Sequence, residues 1–154
     1  MDEADQSGCA NGGGTPYVVV AGYGLPGRTL VELLVRRKVP YVVIELNAHT
    51  CERAAAGGVH MIAGSAADPE ILQKAEIERA TLAALMVPND QVVLGAIPLI
   101  RRVNNSVHII ARCSFTSTGL EAVKRGANQS IVAEQVIARE LEAITSNILQ
   151  PQRA

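Results

Sequence analysis

Aromatic residues are scarce in this sequence, with no Trp, one Phe and three Tyr among 154 residues. The core must therefore come from Val, Ile, Leu and Ala, within an apolar share of 48%. Such an aliphatic make-up is usual in parallel sheets buried under helices on both faces, and it argues against a β-sandwich. An excess of either charge is missing too: the formal net charge is -1. Without a global positive field, neither nucleic acid nor an anionic lipid surface is an expected partner. No apolar run approaches the roughly 20 residues that span a bilayer, so direct membrane insertion is not expected. The first residues do not show the basic-then-apolar order of a signal peptide. Cys9, Cys51 and Cys113 are too dispersed for a zinc site and odd in number, which fits a reducing, cytoplasmic setting better than a disulfide framework. His49, His60 and His108 have no second ligand at metal-binding spacing, and no metal site is expected.

What remains is a chain long enough for one substantial core and too short for two ordinary domains. Residues 1–16, with the run Gly12-Gly13-Gly14, read as a disordered leader or linker. Residues 17–150 then alternate short apolar runs with longer helical stretches, the rhythm of successive β-α-β units. Strands are expected over 17–21, 41–45, 59–63, 82–87, 107–112 and 130–132. Helices are expected over 26–38, from Asn47 to 56, from Asp68-Pro69 onward, over 90–103 with Pro98 as a kink, from 118 to about 126, and over 134–147. Thr118 and Glu121 have capping-box spacing for the fifth of these helices. The fold class is α/β, a Rossmann-like, doubly wound, parallel sheet of six strands.

The sharpest motif is Gly22-Tyr23-Gly24-Leu25-Pro26-Gly27, set between the first strand and the first helix. The first glycine permits a tight turn, the second lets backbone N–H groups approach a pyrophosphate, and the third lets helix and strand pack closely. Phosphate would then rest on the positive end of the helix dipole, with Arg28 as a further candidate contact. Glu45 ends the second strand 18 residues after Gly27. A carboxylate there accepts hydrogen bonds from both ribose hydroxyls and repels a 2′-phosphate, which favours NAD or a simple adenine nucleotide and disfavours NADP. Asn89 and Arg112 stand at the carboxyl ends of the fourth and fifth strands, where open α/β sheets bind ligands.

From Val18 to about Ile144 the sequence resembles the RCK or KTN (TrkA-N type) nucleotide-binding regulatory domains of potassium channels and transporters. The resemblance rests on residues 21–28 around the glycine turn, on Val43-Ile44-Glu45, on Gly64-Ser65-Ala66, on Ile109-Ile110-Ala111-Arg112 and on Gly126-Ala127-Asn128. It implies a pocket formed by the glycine turn, Glu45-Leu46 and Gly64-Ser65-Ala66, which takes NAD(H) or AMP, ADP or ATP. It also implies a homodimer with a crossover C-terminal helix, a higher ring, and a membrane channel or transporter as partner. Ile137, Leu141, Ile144 and Ile148 give the last helix an apolar seam suited to self-association. Three departures from the family pattern bear on the ligand. Leu25 replaces a frequent Arg that reaches a terminal phosphate, which favours NAD or AMP over ATP; Ser65 replaces a frequent Asp; and aliphatic residues 92–94 replace a frequent Asn.

Two alternatives stand beside a nucleotide-responsive regulator. One is a ring-forming scaffold without ligand. The other is a small NAD-dependent oxidoreductase, but hydride transfer needs a second layer to hold a substrate. The Tyr-x-x-x-Lys pair of short-chain dehydrogenases is also absent, since Ala21, Gly27 and Glu45 stand four residues after Tyr17, Tyr23 and Tyr41. No catalytic residue is proposed.

Overall fold

Val18, Val19, Val20 and Ala21 form strand β1 (Val18–Ala21), and all four are buried. A strand buried on both sides needs a layer over each face, and its alternating side chains sort accordingly. Val18 and Val20 cluster with Val43 and with Val31 and Leu34 of helix α1 (Leu25–Arg36). Val19 and Ala21 join Ile44, Ala83 and Leu85 in a larger cluster with Val93, Ile97 and Ile100 of α4 (Asp90–Val103). The computed structural model describes residues 14–151, so most of the expected leader, residues 1–13, lies outside the described residues.

Between these elements come β2 (Tyr41–Glu45), α2 (Ala48–Ala56), β3 (Met61–Ala63), α3 (Pro69–Lys74), a 3-10 turn at Ile77–Arg79 and β4 (Leu82–Leu85). After α4 follow β5 (His108–Cys113), α5 (Thr116–Arg125), β6 (Gln129–Val132) and α6 (Ala133–Ile148). The six strands are parallel in the order β3-β2-β1-β4-β5-β6, the doubly wound sheet expected. Strand order reverses between β1 and β4. Loops leaving their carboxyl ends therefore part to opposite faces and open a crevice between them. At the other end of this pair, Tyr17 and Thr81 bracket the strands: Tyr17 N–H donates to Thr81 Oγ1 (3.1 Å), and the Thr81 hydroxyl and N–H donate back to Tyr17 O (3.0 and 2.8 Å).

Several expected boundaries shift. Tyr17 precedes the first strand, the third is confined to 61–63, the fourth stops at Leu85, the fifth moves to 108–113 and the sixth starts at Gln129. α1 begins a residue early, at Leu25, and ends at Arg36. α5 starts at Thr116, not Thr118, and the supposed capping box lies inside it. Its N-cap, Phe115, offers no side-chain bond, while Glu121 instead pairs with Arg125 (3.0 Å). Pro98 does not interrupt α4. A proline leaves the carbonyl four residues back without its helical donor, here that of Leu94; Arg125 Nη1 of α5 supplies one at 3.2 Å.

A buried polar residue that the sequence did not flag, Asn104, ties the end of α4 to its neighbours. Its Nδ2 donates to Ile77 O and Ala80 O, each at 2.9 Å, and its Oδ1 accepts from Ser106 and Val107 N–H (3.1 and 3.0 Å). No buried side-chain polar atom among the described residues is left without a partner.

Candidate functional site

The backbone demands glycine at two positions of the turn and leaves the third facing open space. Gly22 has φ +96°, and a Cβ there would lie 2.7 Å from Met86 O. A Cβ on Gly27 would lie 2.0 Å from Gly22 O, so only glycine lets α1 start against the turn. Gly24 would meet nothing within 4 Å and faces open space. It is also the N-cap of α1, makes no side-chain cap, and is followed by a first turn without acidic residues and with Pro26. The free N–H groups and positive dipole end of α1 are thus left for an external acceptor.

Glu45 lies across this opening. Its Oε1 accepts from Tyr23 N–H (3.0 Å) and its Oε2 from Asn47 N–H (2.8 Å), so backbone on both sides fixes the carboxylate. Asn47 also caps α2, accepting from Thr50 N–H at 3.0 Å. Gly64, with φ +153°, donates to Glu45 O at 2.9 Å and turns β3 into the next wall, while Ser65 Oγ accepts from Ala67 N–H at 3.2 Å. Asn89 closes the far side and caps α4, accepting from Gln91 and Val92 N–H (3.0 and 3.2 Å).

Together these elements enclose a cleft of about 620 Å³, within the range of small-molecule sites. Gly22, Tyr23, Gly24, Glu45, Leu46, Gly64, Ser65, Ala66 and Asn89 line it, joined by Ile44, Asn47, Thr50, Val87, Pro88 and Val92. Of the last six only Val92 was marked, among the aliphatic residues 92–94 that replace a frequent Asn; the other five were not anticipated as lining residues. Asn47 was read only as a cap, and the apolar ones carry no chemical signature in sequence.

Five expected residues do not line the cleft. Leu25 is 72% exposed, Pro26 is exposed, and Gly27 is buried beneath the turn. Arg28 lines an adjoining polar cleft between α1 and α2 with Glu32 and Arg53, which shares Tyr23 and Thr50 with the first. Arg112 stands inside β5 beside Ile131 of β6, two strands from β1, because β5 runs one residue further than expected. Cys51 and Cys113 are buried and free, and burial pushes both thiols up from their ordinary value. Cys51 also donates to Glu45 O at 3.3 Å. Both are protonated near neutral pH and are poor nucleophiles. Among the described residues no group of His, Cys, Asp and Glu is disposed to hold a metal ion, and no helix is long and apolar enough to cross a membrane.

With this geometry established, the sequence profile of the TrkA-N domain matches residues 18–133. The chain belongs to the TrkA-N domain family. It is 33% identical over 125 residues to an Escherichia coli protein named as the cation/proton antiporter YbaL, covering 81% of this chain and 22% of that protein. Potassium channel protein 1 of Methanocaldococcus jannaschii is 26% identical over 133 residues, 85% of this chain and 40% of that one. The chain thus spans well under half the length of these relatives. The crystal structure of the TrkA-N domain of the E. coli inner membrane protein ybaL superposes with a TM-score of 0.80 at 32% identity, covering 84% of this chain and 96% of that one.

More distant structures share the fold. The GsuK channel bound to NAD has a TM-score of 0.75 at 21% identity, with 83% of this TrkA-N chain and 23% of the channel covered. GsuK has also been solved bound to ADP, with a TM-score of 0.76 at 19% identity and coverage of 86% and 34%. The Kef CTD of Shewanella denitrificans in its AMP-bound form has a TM-score of 0.71 at 18% identity and coverage of 88% and 82%.

Proposed function

We propose that residues 17–150 form a cytoplasmic nucleotide-sensing domain that regulates a potassium channel, a potassium uptake system or a cation:proton antiporter, without catalytic activity of its own. The observation that carries this reading is the pairing of Gly24, which faces open space at the uncapped start of α1, with the backbone-fixed Glu45 carboxylate across the same cleft. One end suits phosphate and the other a ribose. An apolar wall of Ile44, Val87 and Val92 between them suits an adenine base. NAD(H) or AMP is the favoured ligand, because the exposed Leu25 supplies no charge for a terminal phosphate.

Regulation requires a second state whose affinity for the ligand differs from the first. α6 supports a homodimer as the seat of that change. No residue of this helix is buried, and Ile137, Leu141, Ile144 and Ile148 are 51–74% exposed along one seam. Pairing with the same helix of a second copy would remove that seam from water.

Calorimetric titration with NAD, NADH, NADP, AMP, ADP and ATP, with oligomeric state recorded alongside, tests the reading. NAD(H) or AMP is expected to bind at micromolar strength and NADP more weakly. Glu45→Ala should weaken binding by about tenfold or more, since hydrogen bonds to a charged acceptor contribute about 1.5–3 kcal/mol each. A dimer that binds none of the six would leave a ligand-free scaffold in its place.

A further inference from the structure

α5 is capped from outside its own sequence. Helix starts need acceptors for their first N–H groups, and Phe115 at the N-cap position has none to give. Glu134, in the first turn of α6, provides it: Oε1 accepts from Thr116 N–H at 2.8 Å and from the Thr116 hydroxyl at 2.9 Å. Gln135 Nε2 donates to that hydroxyl at 3.2 Å. The carboxylate also carries the sign that a helix N-terminus favours. This is the only side-chain clamp on α6 among the described residues; otherwise the helix has no buried residue and simply continues from the end of β6.

Two residues before Thr116, a second clamp leads to the cleft. Ser114 N–H donates to both carboxylate oxygens of Asp90 at 3.1 Å, and its hydroxyl donates to Asp90 Oδ1 at 3.0 Å. Asp90 is the first residue of α4 and is adjacent to Asn89, which lines the cleft and caps the same helix turn. Two carboxylate clamps, the two residues of the β5–α5 connection and one helix start therefore join the lip of the cleft to α6.

We propose that Glu134 is the positioning residue through which occupancy of the cleft is transmitted to α6, by way of Asn89-Asp90, Ser114 and Thr116. The inference rests on the nucleotide reading of the cleft. A ligand that contacts Asn89 shifts or stiffens the first turn of α4. Asp90 moves with that turn, Ser114 follows Asp90, and the start of α5 carries Glu134 and so the direction of α6. Coupling of this kind requires only that the ligand favour one arrangement of the clamps over another.

The test is amide hydrogen exchange on the full chain, with and without saturating NAD or AMP, the dose fixed from each variant's own binding curve. In the unaltered protein and in Glu134→Gln, which keeps an acceptor oxygen, ligand is expected to slow exchange at Thr116 and across residues 137–144 by about fivefold or more. In Glu134→Ala the ligand still binds, but the change in α6 is lost. Thr116→Val, which removes only the hydroxyl, should reduce it and serves as the deciding variant if Glu134→Ala does not fold. An equal response of α6 in the altered and unaltered proteins overturns the inference, as does ligand binding without any response in α6. Both of those results leave the nucleotide reading intact, whereas failure of the unaltered protein to bind either nucleotide removes both.

Discussion

Gly24 and Gly27 stand three residues apart and lead to opposite expectations. A methyl at Gly27 meets the Gly22 carbonyl at 2.0 Å, and backbone cannot yield as a flexible side chain can. Gly27→Ala should therefore lower the melting temperature of the ligand-free domain by at least about 3 °C, or prevent folding, as expected for a loss of 1 kcal/mol or more. Gly24 has ordinary negative φ and open space around it, so Gly24→Ala should leave the melting temperature nearly unchanged. The added methyl would instead stand where phosphate approaches, weakening nucleotide binding by about tenfold. Thermal melts and titrations on the two variants would separate these effects. Loss of ligand-free stability in Gly24→Ala would contradict the assignment of its open side to the ligand. This contrast was legible in sequence because the roles of the three glycines follow from local spacing. Arg112 was not legible in the same way: one extra residue in β5 and its pairing beside β6 decide where it stands, and neither is encoded nearby.

Among the elements, α4 and α5 show how far a helix can depend on another. Pro98 was read as a kink within a continuous α4, and the helix does run through it, with Arg125 reaching the Leu94 O that the proline leaves without a helical donor. Arg125→Ala should cost about 1 kcal/mol, the usual net worth of such a bond. In a Pro98→Ala background the residue at 98 regains an N–H that can serve Leu94 O, so the cost of Arg125→Ala should shrink by about half or more. Denaturant unfolding of the four proteins in this cycle measures the difference, and strict additivity would show that the guanidinium contributes nothing at Leu94. The start of α5 was misread for a related reason. Thr118 and Glu121 have the right spacing for a capping box, but Glu134 already occupies the helix start, and Glu121 turns to Arg125. α2, α3 and α4 were read correctly at their starts because Asn47, Asp68 and Asn89 cap from within the chain's own next turn.

For the molecule as a whole, the burial that builds the sheet also sets its alkaline limit. Cys51 and Cys113 have pKa values raised from an ordinary 9.0, and Tyr17 from 10.0, in each case first by burial. The unfolded chain releases these protons at lower pH than the folded one, so stability is fully present below about pH 9 and falls as pH rises through the raised values. Denaturant midpoints measured from pH 7 to pH 10.5 should decline only above about pH 9. Cys51→Ser together with Cys113→Ser should flatten the early part of that decline. The six-strand sheet was legible from the alternation of apolar runs and helices, because that rhythm runs through residues 17–150, whereas the cleft was legible from the glycine turn and Glu45.

The reversal of strand order between β1 and β4 also has a consequence for synthesis. Val18 pairs with Leu82, and Tyr17 is bracketed by Thr81, so the first strand waits for residues 64 positions later. Until Leu85 has left the ribosome, β1 can pair only with β2, and its other edge stays open along four aliphatic residues. A half-made chain thus displays a short, sticky strand edge of the kind that invites wrong partners. The central position that buries β1 in the finished domain also gives it the longest wait for a neighbouring strand during translation.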